Sequence, residues 1–292
     1  MMRRAVLTAA LTAVLALVIP PASGASAQDT GPSHRGGDSQ ERGLAVLGLT
    51  EDQRLVAFGS EEPSAVRSLG RVTGLAGDTE LVGIDFRVQD KSLYGVGDRG
   101  GVYTLDTTDA KAVKVSQLTV ELAGSLFGVD FNPAANRLRV ISDTGQNLRH
   151  NIDDAAAPLT TTVDGTLTNP TTPPSTALGV TGAAYTNNDL SAATATTLFD
   201  IDTVNDRVSL QSPANAGTLA PTGGLGVNAG PSAGFDIYYS PRTGTNQGYA
   251  ALETDGGYRF FQVGLLNGTA VSRGAFPTSR QVFDIALPLD QP

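Results

Sequence analysis

A chain of 292 residues with 29 acidic against 20 basic side chains, a net charge of −9, is too negative to neutralise nucleic acid or an anionic membrane. It has no cysteine, which excludes disulfides, thiolate metal centres and thiol nucleophiles. Tryptophan is absent too, so the strongest platform for stacking against a sugar ring is missing.

The opening MMRRAVLTAALTAVLALVIPPASGASAQ sets Arg3 and Arg4 before an apolar run from Ala5 to Ile19, and Ala25-Ser26-Ala27 supplies a small-residue cleavage signal. This layout predicts a secretory signal peptide over residues 1–27, cleaved near Ala27, and a secreted, extracellular chain. A membrane anchor needs roughly 20 apolar residues; this run is shorter and ends at Pro20-Pro21. No later run reaches spanning length, so no membrane span is expected in the mature chain. Loss of Arg3 and Arg4 moves the net charge to −11. Residues 28–43, QDTGPSHRGGDSQERG, lack apolar periodicity and read as a flexible linker. The folded domain is expected over 44–292.

From there the chain is short alternating segments broken by Gly, Asn, Asp and Pro, an all-β signature. Leu44 to Leu75 reads as three strands of a unit whose first strand is missing. LVGIDF (Leu81–Phe86) opens a second unit with the pattern apolar-x-Gly-apolar-Asp-aromatic, followed by a strand over Lys91–Val96. LFGVDF (Leu126–Phe131) repeats it, with Arg137–Ser142 next. Then comes TNPTTPPSTA (Thr168–Ala177), where Pro170, Pro173 and Pro174 bar a central strand and predict an extended surface loop. VTGAAY (Val180–Tyr185) keeps the glycine and the aromatic but carries Ala184 in the aspartate's place, and Thr197–Asp202 follows. SAGFDI (Ser232–Ile237) restores the full pattern, with Gly248–Glu253 after it. Finally RQVFDIALPL (Arg280–Leu289) aligns Val282-Phe283-Asp284-Ile285 with Gly-x-Asp-apolar and supplies the strand absent at the start.

Four-stranded units recurring about every 40–50 residues, with split ends, predict a β-propeller closed by its C-terminal strand joining the N-terminal blade. The count is five blades, a sixth, degenerate blade around the Pro-rich insertion being the alternative. On each innermost strand, period two sets Gly83 with Asp85 on one face and Ile84 with Phe86 on the other. Ile84, Phe86, Val129, Phe131, Phe235, Ile237, Phe283 and Ile285 are therefore expected in the core, with Leu93, Leu138, Leu198 and Leu252 from second strands.

The stretch LFGVDFNPAANRLRVISDTGQNLR (Leu126–Arg149), with GAAYTNND (Gly182–Asp189), resembles the bacterial proteins grouped as domain of unknown function 4394, over nearly all of the mature chain. The resemblance implies a secreted, propeller-like domain and assigns no activity.

Asp85, Asp130, Asp236 and Asp284 recur at one place in four of five units. Two readings stand. Each carboxylate accepts backbone N–H groups of a neighbouring turn or blade, or some reach a central channel and bind a ligand or a cation, for which oxygen-only ligation favours calcium or magnesium. Among the remaining polar groups, Asp98, Asp143 and Asp255 read as hairpin turns, and Asp106 and Asp153 as turn residues too. Thr186–Asp189 reads as a polar loop able to coordinate a cation. Arg137, Arg139 and Arg149 cluster in the third unit, paired or solvated, and His150 is expected at the surface or in a turn. The function expected is a non-catalytic binding module for a small molecule, glycan or protein, acting as a monomer. The alternatives are a glycosidase-like hydrolase using channel carboxylates and a purely structural role.

Overall fold

Alternating apolar residues between turn formers give antiparallel strands, and the computed structural model, which describes residues 43–191 and 193–291, assembles them into five four-stranded sheets. The predicted signal peptide and all of the linker but Gly43 lie outside the described residues. Blade one contains β1 (Ala45–Thr50), β2 (Arg54–Gly59) and β3 (Glu62–Arg71). Blade two is β4 (Leu81–Arg87), β5 (Ser92–Gly97), β6 (Gly101–Leu105) and β7 (Ala112–Gln117). Blade three is β8 (Phe127–Asn132), β9 (Arg137–Ser142), β10 (Asn147–His150) and β11 (Thr161–Val163). A two-stranded hairpin of β12 (Thr168–Asn169) and β13 (Ser175–Thr176) stands outside the blades. Blade four is β14 (Val180–Tyr185), β15 (Leu198–Asp202), β16 (Arg207–Gln211) and β17 (Leu219–Gly224). Blade five is β18 (Ala233–Ser240), β19 (Thr245–Thr254), β20 (Gly257–Val263) and β21 (Ala270–Ala275).

The last strand, β22 (Val282–Ala286), pairs antiparallel with β1 in the register Leu47↔Ala286, Gly48↔Ile285 and Leu49↔Asp284. It thereby becomes the innermost strand of blade one, in the order β22-β1-β2-β3. Each innermost strand touches those of both neighbours: β4 meets β22 and β8, and β14 meets β8 and β18, which in turn meets β22. That closes the ring and removes the free inner edge that an unpaired β1 would present.

The core lies between blades rather than within a single sandwich. Leu47, Leu49 and Leu55 of blade one pack on Ile84, Phe86 and Leu93 of blade two. Tyr94 and Val96 meet Val129, Phe131 and Leu138 at the next joint. At the closing joint Phe58 sits edge-on to Phe260 and to Phe276, both at 5.1 Å between ring centroids. Each large buried side chain contributes roughly 1.5–3 kcal/mol. Of the residues expected in the core, Phe283 departs from expectation: it is only half-buried, because it lines a hollow at one end of the ring.

The Pro-rich segment corrects a second expectation. Thr168–Ala177 is a small hairpin anchored at its ends by buried Leu167 and Ala177, and it builds no sixth blade. No described helix is long and apolar enough to cross a membrane.

Candidate functional site: the hub and its two hollows

The recurring aspartate points at the next blade and accepts a backbone N–H there. Asp85 Oδ2 accepts from Phe131 at 2.7 Å, Asp130 Oδ1 from Tyr185 at 3.1 Å, Asp236 Oδ2 from Leu287 at 2.6 Å and Asp284 Oδ2 from Ile84 at 2.7 Å. Asp85 Oδ1 and Asp236 Oδ1 each accept a second N–H from the residue that follows, both at 2.6 Å. The glycine two residues earlier is what lets the next strand come this close. A Cβ on Gly128 would stand 2.8 Å from the backbone nitrogen of Ala183, and one on Gly234 would stand 2.5 Å from Cα of Asp284.

Ala184 leaves the joint between blades four and five without this bond, and the loop after β14 replaces it. Asn188 Nδ2 donates to the carbonyl of Ile237 at 3.0 Å, while Asn187 and Asn246 exchange two hydrogen bonds at 2.8 and 2.7 Å. The asparagines of the Thr186–Asp189 loop, which the sequence shows only as polar and able to coordinate a cation, are thus engaged in fastening blade five. Replacing Asn188 by Ala should lower stability by about 1 kcal/mol, an ordinary hydrogen-bond loss, checked as a 2–4 °C drop in Tm.

All four aspartates are buried, and one oxygen from each of Asp85, Asp130 and Asp236 lies within 4.8 Å of the others. Burial raises the Asp85 and Asp130 carboxyls well above their usual range, and neighbouring carboxylates add to it, Asp236 for the first and Asp85 for the second. Burial likewise raises Asp284 well above that range and pushes Asp236 up to about 6. Oxygen-only donors at this spacing are of the kind calcium takes, yet calcium needs six to eight of them. Asp85 and Asp236 already direct both oxygens at backbone N–H groups. The arrangement fits a fastening better than a calcium centre.

Several polar residues proved more deeply placed than their sequence context implied. His150 is a buried strand residue and not a surface or turn one. Its Nε2 lies 2.8 Å from Ser116 Oγ and its Nδ1 3.1 Å from Thr161 Oγ1, and burial lowers its pKa. Arg139, 1% exposed, reaches Asp164 at 2.6 Å, Asn147 at 2.7 Å and Asn215 at 2.8 Å; Arg149 shares Asp164. Arg137 pairs with Asp154, and buried Arg87 forks onto Asp153 at 2.7 and 2.8 Å, which turns an expected turn residue into an inter-blade clamp. Asp98, Asp143 and Asp255 do sit in hairpin turns, and the first two also accept N–H groups from the preceding inter-blade loop. Asp200 was singled out by no sequence signal. It is wholly buried, neither oxygen has a hydrogen-bond partner among the described residues, and burial raises its carboxyl well above the usual range.

Several hollows open among the described residues, and two of them differ sharply in the chemistry of their walls. The axial mouth, about 230 Å³, is walled by residues from all five innermost strands or the loops just before them, with Phe127, Thr181, Ala233 and Phe283 around it and Asp284 reaching in. Of the four recurring aspartates, Asp284 alone lines a hollow found among the described residues. The other is a groove of about 770 Å³ between blades four and five, lined by Asn187, Asn246, Gln247, Gln262 and Asn267 with Leu266 at its edge.

Several solved structures resemble this chain at low identity. An auxiliary nutrient binding protein from Bacteroides ovatus aligns over 70% of this chain and 55% of its own, at 12% identity and a TM-score of 0.42. A protein of unknown function from Bacteroides thetaiotaomicron aligns over 85% and 65%, at 13% identity and 0.47, so the chain spans about half to two-thirds of the length of these two. A chain of a nidogen/laminin complex aligns over 85% and 99%, at 9% identity and 0.46. No curated protein matches. The family profile described as "Domain of unknown function (DUF4394)" matches residues 54–286, most of the propeller from β2 to β22, and the chain belongs to that family.

Proposed function

We propose that this propeller is an exported, non-catalytic binding module that takes a neutral, hydroxyl-rich small molecule or glycan in the groove between blades four and five. The observation that carries the reading is the groove's wall. It offers amides from Gln247, Gln262 and Asn267, hydroxyls from threonines and apolar surface from Leu266, while Asn187 and Asn246, which also line it, are bonded to each other, and no ionisable side chain lines it. Such a wall can exchange hydrogen bonds with neutral hydroxyls but holds no acid, base or nucleophile. The hub carboxyls support the same side of the choice. A glycosidase needs two carboxyls flanking an accessible bond, whereas Asp85, Asp130 and Asp236 are buried and bonded to backbone. Export rests on the apolar leader and its cleavage signal.

The test is a thermal-shift and calorimetric screen of neutral oligosaccharides. Leu266, 80% exposed, and Gln247 can be changed without opening the core. A ligand bound here should lose about tenfold in affinity in the Leu266→Ser, Gln247→Ala double variant, roughly one hydrogen bond and one apolar contact. Equal affinity in that variant would remove the ligand from the groove. Release of new reducing ends from a bound glycan, abolished by Asp284→Asn, would move the protein into the hydrolase class.

A further inference from the structure

The axial mouth has a chemistry opposite to that of the groove. Glu51 and Glu80 stand exposed at its rim, Asp284 reaches in from the hub side, and no lysine or arginine lines it. Phe127 and Phe283 present half-buried rings to the same space, beside Tyr258. Glu51 and Tyr258 are also walls of an adjoining hollow of about 410 Å³, which adds Glu253 and Asp255 against a single Arg259. Thr254 lines that second hollow at 8% exposure, and its hydroxyl has no hydrogen-bond partner among the described residues.

From these features we propose that the axial mouth binds a small organic cation, a molecule carrying a primary ammonium or guanidinium group. Four carboxyl side chains, Glu51, Glu80, Glu253 and Asp255, against one arginine attract positive charge and concentrate it at the opening. Aromatic faces beside them add the attraction of a ring quadrupole for a cation. A bare metal ion fits less well. Among the described residues, the group of carboxylates close enough to share an ion is Asp85, Asp130 and Asp236, in the hub, not Glu51, Glu80 and Asp284. This site is independent of the groove between blades four and five, and either can fail without the other.

Calorimetry with 1,4-diaminobutane and agmatine, against 1,4-butanediol and succinate as neutral and anionic isosteres, tests it at low ionic strength. The two cations should bind and raise Tm, with the diol and the diacid at least about tenfold weaker. The Glu51→Gln, Glu80→Gln double variant changes exposed side chains only, so its unliganded Tm should match the wild type while its affinity for the amines falls about tenfold. The Leu266→Ser, Gln247→Ala variant should bind amines unchanged. Equal binding of the diol, undiminished amine binding by the carboxamide variant, or a response to calcium without one to amines would each overturn the proposal.

Discussion

Deleting residues 280–292 should abolish the cooperative unfolding transition. The segment buries Val282, Ile285 and Leu287 to 1% exposure or less, and those three side chains alone represent roughly 5–9 kcal/mol of apolar burial. It also supplies one end of each of two hydrogen bonds to neighbouring blades: Leu287 donates to Asp236, and Asp284 accepts from Ile84. Domain stabilities are about 5–15 kcal/mol, so the loss is comparable to the whole. The truncated chain would also expose β1 as an inner edge, an invitation to pair with another copy. Circular dichroism melts and size-exclusion chromatography read the outcome: a missing or broad transition and soluble aggregates. A synthetic peptide spanning Ser279 to Asp290, added in trans, should restore a sharp transition. A truncated protein that melts cooperatively within about 5 °C of the full chain would show that ring closure contributes little.

That closure was legible in the sequence because it is written locally. Val282-Phe283-Asp284-Ile285 repeats the pattern of Leu81–Phe86, and period-two alternation then assigns every side chain to a face. The same alternation placed Gly and Asp together, and they do face the next blade as a pair. What alternation could not say is whether the aspartates find donors or a cavity, since Phe131 and Tyr185 lie 46 and 55 residues from the carboxyls they bond. The longer polar side chains were still less readable. Arg87 meets Asp153 across 66 positions, and Arg139 meets Asn215 across 76; nothing in either neighbourhood encodes the partner. His150 looked like a surface residue because LRHNID is polar, yet Ser116 and Thr161 close over it from strands on either side. Both hollows were invisible for the same reason, being built from residues of several blades. Ala184 was the one local irregularity that pointed to a real difference, the joint fastened by asparagines.

Moving from pH 8 to about pH 5 should raise the melting temperature, the reverse of common acid behaviour. For a carboxyl whose pKa is higher folded than unfolded, protonation favours the fold: its contribution is full below the unfolded pKa and is lost as pH rises through the folded one. Asp236 goes from 3.8 to about 6 on folding, a shift worth on the order of 3 kcal/mol. Asp85, Asp130 and Asp284 are raised well above 3.8 by burial, so they act in the same direction and carry the slope to higher pH. Arg139, directly opposite Asp130 in the β8–β9 register, has Asp164 as its partner instead. His150 opposes the trend. Its lowered pKa costs stability as pH falls below 6.5, but it is one group against five, since buried Asp200 is raised as well. Below about pH 4 the carboxylates held low by hydrogen bonds, Asp98 among them, begin to be lost as well. The expected curve is therefore a dome with its maximum near pH 4.5–5.5, several degrees above the value at pH 8. Calorimetry of the Asp85→Asn, Asp130→Asn variant, whose side chains stay neutral, should show a distinctly flatter slope between pH 5 and 8. A wild-type Tm that falls steadily on acidification below pH 7 would mean that the hub carboxyls remain ionised in the fold, held by donors or cations stronger than the backbone bonds described.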